Sequence, residues 1–320
     1  MASTNDSMEK HFIIKGISDV QELQLPLFLL VLVIYLITLG GNMTIVFLVT
    51  LDRHLHTPMY FFLGNLSMMD MSCSTVALHR PLITFISRDR SVLFRSCFAQ
   101  MYSFLAITCD ELLILTAMSY DRYVAICNPL RYIEVMSNKV CSFLACLSWI
   151  LGFMNIIPCL LEISGFTCYT SLEVNHFFCD IMPIMKLTCN DTTSLELYIF
   201  LEGVLFATLT PFILTFISYI FIIRTILRIR SSSGKRKAFY TCSSHLTVVT
   251  LLYGTLSYQY FRPISSVSLE SNKLYSLFNT AAVPILNPLI YSLKNKDVIA
   301  AMKRRCRCFK TSPVEAKMKK

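Results

Sequence analysis

Two acidic residues stand inside stretches of sequence that are otherwise apolar, and they are the first places where this chain could do chemistry. Asp70 lies in one stretch and Glu111 in another. A bare carboxylate in hydrocarbon is costly, so each acid needs a partner. The two could share a proton, as neighbouring carboxylates do, either as a structural pair or as part of a proton relay. They could instead bind a sodium ion together with Asn42 and Asn287, since hard cations take oxygen ligands.

A second charged site is the pair Asp121 and Arg122, which follows the apolar stretch that contains Glu111. An arginine that faces other helices at membrane depth must be paired, and Asp121 is its natural partner. At helical spacing, one face of this stretch carries Phe104, Thr108, Glu111, Leu115, Met118 and Arg122. This face would be about 27 Å long, close to the thickness of the hydrocarbon core of a bilayer. One helix face would therefore connect the two sides of a membrane.

The elements that must hold these residues are membrane-spanning helices. Hydrophobic residues make up 54% of the 320 residues and charged residues only 15%, which excludes a disordered chain. A span needs about 20 largely apolar residues. Five runs satisfy this without a charged residue: 23–51, 140–161, 203–223, 238–261 and 274–293. Two more, 58–79 and 97–120, qualify once buried acids are allowed, so the sequence predicts seven helices.

The distribution of basic residues predicts the orientation of these helices. With the N-terminus outside, 20 of the 29 Lys and Arg residues fall in inner segments, as expected when cytoplasmic loops collect positive charge. This predicts an extracellular tail at 1–22, a seven-transmembrane domain at 23–293 and a cytoplasmic tail at 294–320. A short amphipathic helix is expected after the seventh span. The first run follows a polar tail without a basic region or a cleavage site, so we interpret it as a signal anchor.

The same features exclude other classes of function. The inner segments account for the net charge of +9, and no soluble basic face with interleaved aromatic residues indicates nucleic-acid binding. A transporter would be expected to show paired half-chain repeats, and none is visible. An intramembrane enzyme would need a nucleophile–base pair or a metal cluster, whereas His245 has no acid, Cys or His partner at helical spacing. The chain is therefore predicted not to be an enzyme and to need no cofactor beyond the sodium ion.

Four cysteines fall on the predicted outer side: Cys97, Cys168, Cys179 and Cys189. In an oxidising compartment they suggest two disulfides, and their spacing alone leaves three pairings open. The sequon at Asn5 in the N-terminal tail is the predicted glycosylation site.

Longer motifs occur in order along the predicted helices. They are Gly41-Asn42 in the first helix, LHTPMYFFL (55–63) opening the second, MSYDRYVAICNPLRY (118–132) ending the third, Trp149 in the fourth, Ser218-Tyr219 in the fifth, KAFYTCSSHL (237–246) opening the sixth and PILNPLIYS (284–292) ending the seventh. The set resembles the rhodopsin-like G-protein-coupled receptors and, within them, the vertebrate olfactory receptors. Ser119, Asn128 and Tyr240 depart from the residues commoner in that family, without putting the resemblance in doubt.

The resemblance implies an all-α membrane protein, a seven-transmembrane helix bundle in the plasma membrane that functions as an odorant receptor. Such a receptor binds a small, mainly apolar ligand in the outer half of the bundle. It then activates a stimulatory, olfactory-type G protein that raises cyclic AMP. The implied partners are the odorant, the heterotrimeric G protein and membrane lipids, and no nucleic acid. A chemoreceptor of the same fold for a non-odorant ligand outside the nose is the alternative, and a membrane transporter is a more distant one.

The resemblance also assigns roles to individual residues. It favours the sodium site at Asp70 and Glu111, and it pairs Cys97 with Cys179 and Cys168 with Cys189. It places coupling to the G protein and activation at Asp121, Arg122, Tyr123, Tyr219, Asn287, Pro288 and Tyr291. On activation, Arg122 is expected to be released while Tyr219 and Tyr291 move toward it. Cys306 and Cys308 lie in a basic stretch after the seventh helix, where palmitoylation fits.

The ligand is expected in the outer half of the bundle, in an apolar cavity with a few hydroxyl groups. The predicted lining residues are Met101, Phe104, Leu105, Thr108, Cys109, Leu112, Ile181, Gly203, Ala207, Tyr253, Leu256, Ser257, Tyr260, Leu277 and Thr280. Phe104 takes the place where amine receptors carry an acid, which argues against a biogenic amine. Asp110 and Glu202 could supply charge, but the sequence does not determine which way they face.

Overall fold

Seven long helices make up most of the structure. The computed structural model describes residues 10–260, 268–294 and 296–310, with the backbone alone at 237, 240, 241, 291–294, 296 and 306–310. The helices are α1 (Gln21–Leu51), α2 (Pro58–Ser87), α3 (Phe94–Cys127), α4 (Asn138–Ser164), α5 (Thr193–Arg228), α6 (Ser232–Tyr260) and α7, which joins the contiguous segments Leu269–Leu277, Phe278–Ala282 and Val283–Lys294. Each helix covers one predicted run, the sixth to within one residue, and most extend past it. Helical hydrogen bonding need not stop where the apolar run ends.

Some predicted sites fall outside this description. Asn5 lies outside the described residues, so its glycosylation stays a prediction. The side chains of Tyr291, Cys306 and Cys308 also lie outside them.

The outer surface of the bundle is apolar. Within the described part of the chain, α1, α3, α4 and α5 are long and apolar enough to cross a membrane by length and composition. Large hydrophobic side chains such as Leu36, Phe143 and Phe216 are more than half exposed. Such a surface is stable in lipid, where a helix satisfies its own backbone hydrogen bonds.

Helix α3 is the central element, packing against α2, α4 and α5. Its predicted inward face is confirmed, because Phe104, Thr108, Glu111, Leu115 and Met118 are all buried. Arg122, at the end of this face, is half-buried. The bundle is therefore organised around the same helix face that the spacing of these residues predicted.

A small sheet covers one end of the bundle, called the sheet end below. It contains β1 (His11–Ile14), β2 (Ser91–Leu93) and β3 (Glu173–Val174), in the order β2-β1-β3. β1 is antiparallel to β2 and parallel to β3. Phe12 and Ile14 alternate with exposed residues and point into the protein. The Phe12 ring stacks on that of Phe94 with centroids 4.0 Å apart, so the N-terminal segment is fixed to the start of α3.

The segment between α4 and α5 belongs to the same end, and its residues 176–185 are buried. It contains β3 and a short helix, Ile181–Leu187. Disulfides join Cys97 to Cys179 and Cys168 to Cys189, the two pairs that the resemblance implied. Phe178 and Cys179 are fully buried. The longest inter-helix segment, between α4 and α5, thus packs over the start of α3. It is called the plug below.

The opposite end is closed by an eighth helix, α8 (Lys296–Lys310), where the sequence predicted an amphipathic helix. The Arg304 guanidinium donates to Asp52 Oδ2 from Nε (3.0 Å) and Nη2 (2.7 Å). Asp52, in the α1–α2 connection, is almost buried, and Arg304 lowers the pKa of this carboxyl to about 2. Tyr60 on α2 also donates to Asp297 Oδ2, at 3.1 Å. These contacts hold α8 against the start of α2.

Candidate functional site

The mid-bundle acids lie where α2, α3 and α7 meet. Asp70 is fully buried and accepts hydrogen bonds from Asn287 Nδ2 at 2.9 Å to each oxygen. Asn42 donates to the backbone oxygens of Thr38 (3.1 Å) and Pro284 (2.9 Å). Glu111 is also buried. The structure therefore places buried polar side chains from α1, α2, α3 and α7 in the interior of the bundle.

Three oxygens of this group accept no hydrogen bond among the described residues: Asn42 Oδ1, Asn287 Oδ1 and Glu111 Oε1. A buried acceptor without a donor is costly. A sodium ion would satisfy such oxygens, whereas a proton on Glu111 would satisfy only part of the group. Within the described residues, no three His, Cys, Asp or Glu side chains are placed to hold a metal ion. A cation here would therefore depend on the two asparagines as well as the acids.

At the α8 end, Asp121 has a different partner from the one expected. It is buried, and its Oδ1 accepts a hydrogen bond from Tyr132 at 2.8 Å. No salt bridge between Asp121 and Arg122 occurs among the described side chains, and an Arg122 amino group instead contacts the sulfur of Met59 on α2. Tyr132 lies 11 residues beyond Asp121, past the end of α3, so helical spacing could not identify it.

Tyr219 and His245 form a buried contact between α5 and α6 that the sequence analysis did not predict. The Tyr219 hydroxyl lies 2.8 Å from His245 Nδ1, and His245 Nε2 lies 3.1 Å from the backbone oxygen of Leu115 on α3. A carbonyl oxygen can only accept, so Nε2 carries the proton and Nδ1 accepts from Tyr219. Both side chains are at most 3% exposed. His245 thus ties three helices together through partners that no local motif reveals.

Two other predicted coupling residues, Tyr123 and Pro288, lie in contacts between helices. The Tyr123 ring packs edge-on against Phe221 of α5, with centroids 6.0 Å apart. Pro288 of α7 lies so close to Gly41 of α1 that a Cβ atom on Gly41 would be 3.1 Å from Pro288 Cγ. A side chain at Gly41 would therefore crowd the contact between α1 and α7.

The residues predicted to line the ligand site lie mainly in two adjoining apolar clusters, one that extends along the bundle to the α8 end and one near the sheet end. One contains Phe104, Leu112, Tyr253 and Leu256, with Leu277 packed against it. The other contains Met101 and Ile181, with Cys109 packed against it. Leu105 and Tyr260 contact both clusters. The Phe178 ring meets Phe104 edge-on at 4.7 Å, so the disulfide-bonded segment borders this region.

Some of the hydroxyl groups predicted to line the ligand site already form hydrogen bonds. Thr108 donates to Phe104 O (2.9 Å) and Thr280 to Ser276 O (2.8 Å), each within its own helix. Ser257 is half-buried. Gly203 and Ala207 lie on the π-helical segment Ile199–Leu209 of α5 and belong to neither apolar cluster.

Asp180, directly after Cys179, is the acid of this region, and the sequence analysis missed it. It is fully buried. Oδ1 accepts from the Tyr260 hydroxyl (3.2 Å) and the Ile181 backbone nitrogen (2.8 Å), and Oδ2 accepts from Gln259 Nε2 (3.3 Å). Burial raises the pKa of this carboxyl to about 6. Only its position after a cysteine could have marked it, because its partners lie on another helix.

We expect Asp180→Asn to change how stability depends on pH. The folded-state pKa of about 6 exceeds the unfolded value of 3.8, so ionisation of Asp180 lowers stability as pH rises through this window. The variant cannot ionise at this position. Its free energy of unfolding should therefore rise relative to that of the natural chain as the pH increases from 4 to 7, by up to about 3 kcal/mol. Thermal unfolding of both purified proteins across this range measures the difference. His176, in the same segment between α4 and α5, also titrates, but both proteins contain it. Its effect therefore cancels when the two proteins are compared. A constant difference would contradict the prediction.

Asp110 does not reach the ligand region, because it packs against α4. It is fully buried, and a Cβ atom on Gly152 would overlap its carboxyl group. We expect Gly152→Ala to destabilise the protein by about 1–3 kcal/mol through overpacking. Adding Asp110→Ala should restore part of the loss in thermal unfolding. Gly64→Ala is a matched control, since its Cβ would meet Val49 at an ordinary 3.7 Å. Equal effects of the two alanines would contradict this.

Comparisons with known proteins agree with this arrangement. The sequence model of the family described as "Olfactory receptor" matches residues 31–307. The chain is 43% identical to human olfactory receptor 8D1 over 95% of this chain and 98% of that protein. It is 44% identical to mouse olfactory receptor 8U9 (95% and 96%) and to chicken olfactory receptor-like protein COR4 (95% and 97%). The crystal structure of squid rhodopsin matches with a TM-score of 0.65 at 19% identity, covering 91% of this chain and 87% of that one.

Proposed function

Because the chain belongs to the olfactory receptor family, a branch of the rhodopsin-like receptors of the plasma membrane, we propose that it binds a small, mainly apolar odorant near the sheet end. Binding activates a stimulatory, olfactory-type G protein at the α8 end and raises cyclic AMP. The observation that carries this proposal is the buried face of α3. It runs from Phe104, beside the disulfide-bonded segment, to Leu115, which contacts His245 near Arg122.

We propose that the sheet end is extracellular and the α8 end cytoplasmic. Both disulfides lie at the sheet end, and disulfides form and persist in oxidising compartments. Most basic residues fall in segments toward the other end, as cytoplasmic loops require. These two arguments are independent and agree.

The signal would pass through the contacts that join α3, α5 and α6. Tyr219 and His245 hold α5 and α6 against Leu115 of α3. A movement of α6 away from α3 and α5 would break the bonds that His245 makes to Leu115 and to Tyr219, and Tyr219 would then turn toward Arg122. A ligand favours this state only by binding it more tightly than the resting state.

A cyclic AMP reporter assay tests the proposed function. Cells expressing the chain with the olfactory stimulatory G protein would be exposed to a few hundred volatile compounds, with surface expression measured in parallel. We expect a dose-dependent response to at least one class of compound. Responses that require an inhibitory G protein would contradict the choice of partner. A chain that reaches the surface and responds only to non-volatile compounds would favour a chemoreceptor for another kind of ligand.

We also propose that Asp70, Glu111, Asn42 and Asn287 hold a sodium ion in the resting state. The three oxygens without donors support this, and the ion would supply a positive charge to Asp70 and Glu111, which form no salt bridge among the described side chains. Replacing sodium by N-methylglucamine at constant ionic strength should lower the melting temperature of the natural chain but not of Asp70→Asn. Asp110 packs against α4, so Asp110→Asn serves as a control. It should respond to the replacement of sodium like the natural chain. A melting temperature that follows pH and ignores sodium would favour the shared proton.

A further inference from the structure

Two carboxamide side chains meet inside the sheet-end half of the bundle, Gln259 on α6 and Asn279 on α7. They are 2% and 6% exposed. Asn279 Nδ2 donates to Gln259 Oε1 at 3.1 Å. The predicted ligand positions Tyr260 and Thr280 adjoin them in sequence. This amide pair is therefore a polar junction between α6 and α7 within a largely apolar region.

The other ends of both amides have partners of their own. Gln259 Nε2 donates to Ser276 Oγ (2.8 Å) and Asp180 Oδ2 (3.3 Å). Asn279 Oδ1 accepts from the Thr255 hydroxyl at 2.5 Å. Ser276 and Thr255 hydroxyls can rotate, and Thr255 already lies 2.8 Å from the backbone oxygen of Leu251. Gln259 Nε2 also donates to the Tyr260 hydroxyl at 3.2 Å, within α6, so this end keeps a partner if α6 moves. The bond between the two amides has no such substitute.

A shift of α6 relative to α7 would leave Gln259 Oε1 without a donor and Asn279 Nδ2 without an acceptor. Buried groups left in this way are costly, so the resting arrangement is favoured. A ligand lowers the cost of the shifted state if one of its groups forms hydrogen bonds with both Gln259 Oε1 and Asn279 Nδ2. That group must donate a hydrogen bond to Gln259 and accept one from Asn279.

We propose that Gln259 and Asn279 form a subsite for the hydroxyl group of a small alcohol. A hydroxyl donates one hydrogen bond and accepts others, so it can bridge the two amides. The carbonyl of an aldehyde can serve only Asn279, and an alkane serves neither. A carboxylate would bring a second negative charge close to Asp180. The inference rests on the proposed function, since it assumes that the ligand binds in this half and that α6 moves.

Thermal stabilisation of the purified full-length receptor tests the subsite without requiring a G protein. The probes are sets of alcohol, aldehyde and alkane with five, eight and ten carbons, so that chain length is varied separately from the polar group. In at least one set, the alcohol should protect the natural chain at about fivefold lower concentration than the aldehyde, as one extra hydrogen bond predicts. The alkane should be weaker still.

Variants of the amide pair identify the residues responsible. Gln259→Leu and Asn279→Leu should each remove the preference for the alcohol, and the double leucine variant should favour the alkane. In the double variant both amides are replaced, so neither remains without its partner across this contact. The double variant therefore keeps the test valid if a single variant fails to fold. Asn65→Leu is a control, because Asn65 is a carboxamide that donates to the backbone oxygen of Phe61 on α2 and accepts from the Trp149 indole on α4, away from α6 and α7. It should keep the alcohol preference.

Three results would overturn the inference. They are no stabilisation by any alcohol, equal potency of alcohol and aldehyde in every set, or an alcohol preference that survives in the double variant. Each leaves the proposed function intact if other volatile compounds still raise cyclic AMP in the reporter assay. Silence of the natural chain toward all volatiles in that assay would count against the proposed function instead.

Discussion

Arg122→Ala is expected to abolish the agonist-stimulated rise in cyclic AMP while the receptor still reaches the cell surface. The half-buried guanidinium lies at the end of the α3 face and contacts Met59. It makes no salt bridge with Asp121, which is bonded to Tyr132. Removing it therefore breaks no buried ion pair, and the cost to folding should be small. The loss of signalling should be at least roughly tenfold, within the range of roughly 5–150-fold that is typical of coupling between distant sites.

The assay needs a surface-expression measurement and a matched arginine. Arg131 is exposed and lies just beyond α3, so Arg131→Ala changes the same net charge without touching the bundle interior. It should keep most of the response. Full agonist response in Arg122→Ala at normal surface level would contradict the proposed coupling site. Equal loss in both variants would indicate a general effect of charge.

Removing the disulfide between Cys97 and Cys179 is expected to have the largest effect on folding. It closes a loop with a sequence separation of 82, against 21 for Cys168 and Cys189. By chain entropy alone, the two disulfides would stabilise the fold by about 4.5 and about 3.3 kcal/mol. The first also positions Asp180, whose carboxyl binds Tyr260 and Gln259. We therefore expect the Cys97→Ala/Cys179→Ala variant to lose nearly all surface expression.

Flow cytometry of an N-terminally tagged receptor measures this directly, with thermal unfolding of any protein recovered. The Cys168→Ala/Cys189→Ala variant should be impaired less and should recover partly at lower temperature. Cys146 is exposed and unpaired, so Cys146→Ala serves as the control. A normal surface level for Cys97→Ala/Cys179→Ala, or greater harm from removing the shorter-range disulfide, would show that the plug over α3 folds without this link.

The sequence was sufficient for the helices and for the central role of α3. The seven apolar runs correspond to the seven helices, and Phe104, Leu115 and Met118 face inward as their spacing predicted. Such features are local, because each span must satisfy its own backbone hydrogen bonds in lipid and the helical period then sets the shared face. The ordered motifs identified the family for a related reason, since each is a continuous stretch of residues.

Partners of the buried polar groups could not be read in the same way. Asp70 binds Asn287, 217 residues away, and His245 binds the backbone of Leu115, 130 residues away. Asp121 pairs with Tyr132 and not with its neighbour Arg122. Gln259 and Asn279 carried no signal in the sequence, because each lies among apolar or hydroxyl-bearing neighbours.

The physical reason is that local hydrogen bonding and helix packing determine different features of the structure. Local hydrogen bonding determines which side chains share a face, but the rotation and depth of each helix depend on packing against the others. A shift of one helix by a single turn, about 5.4 Å, would exchange every polar partner without changing any apolar run. The sequence therefore determined the helices, their order and the family, whereas the tertiary structure alone decided which buried groups of this receptor bind one another.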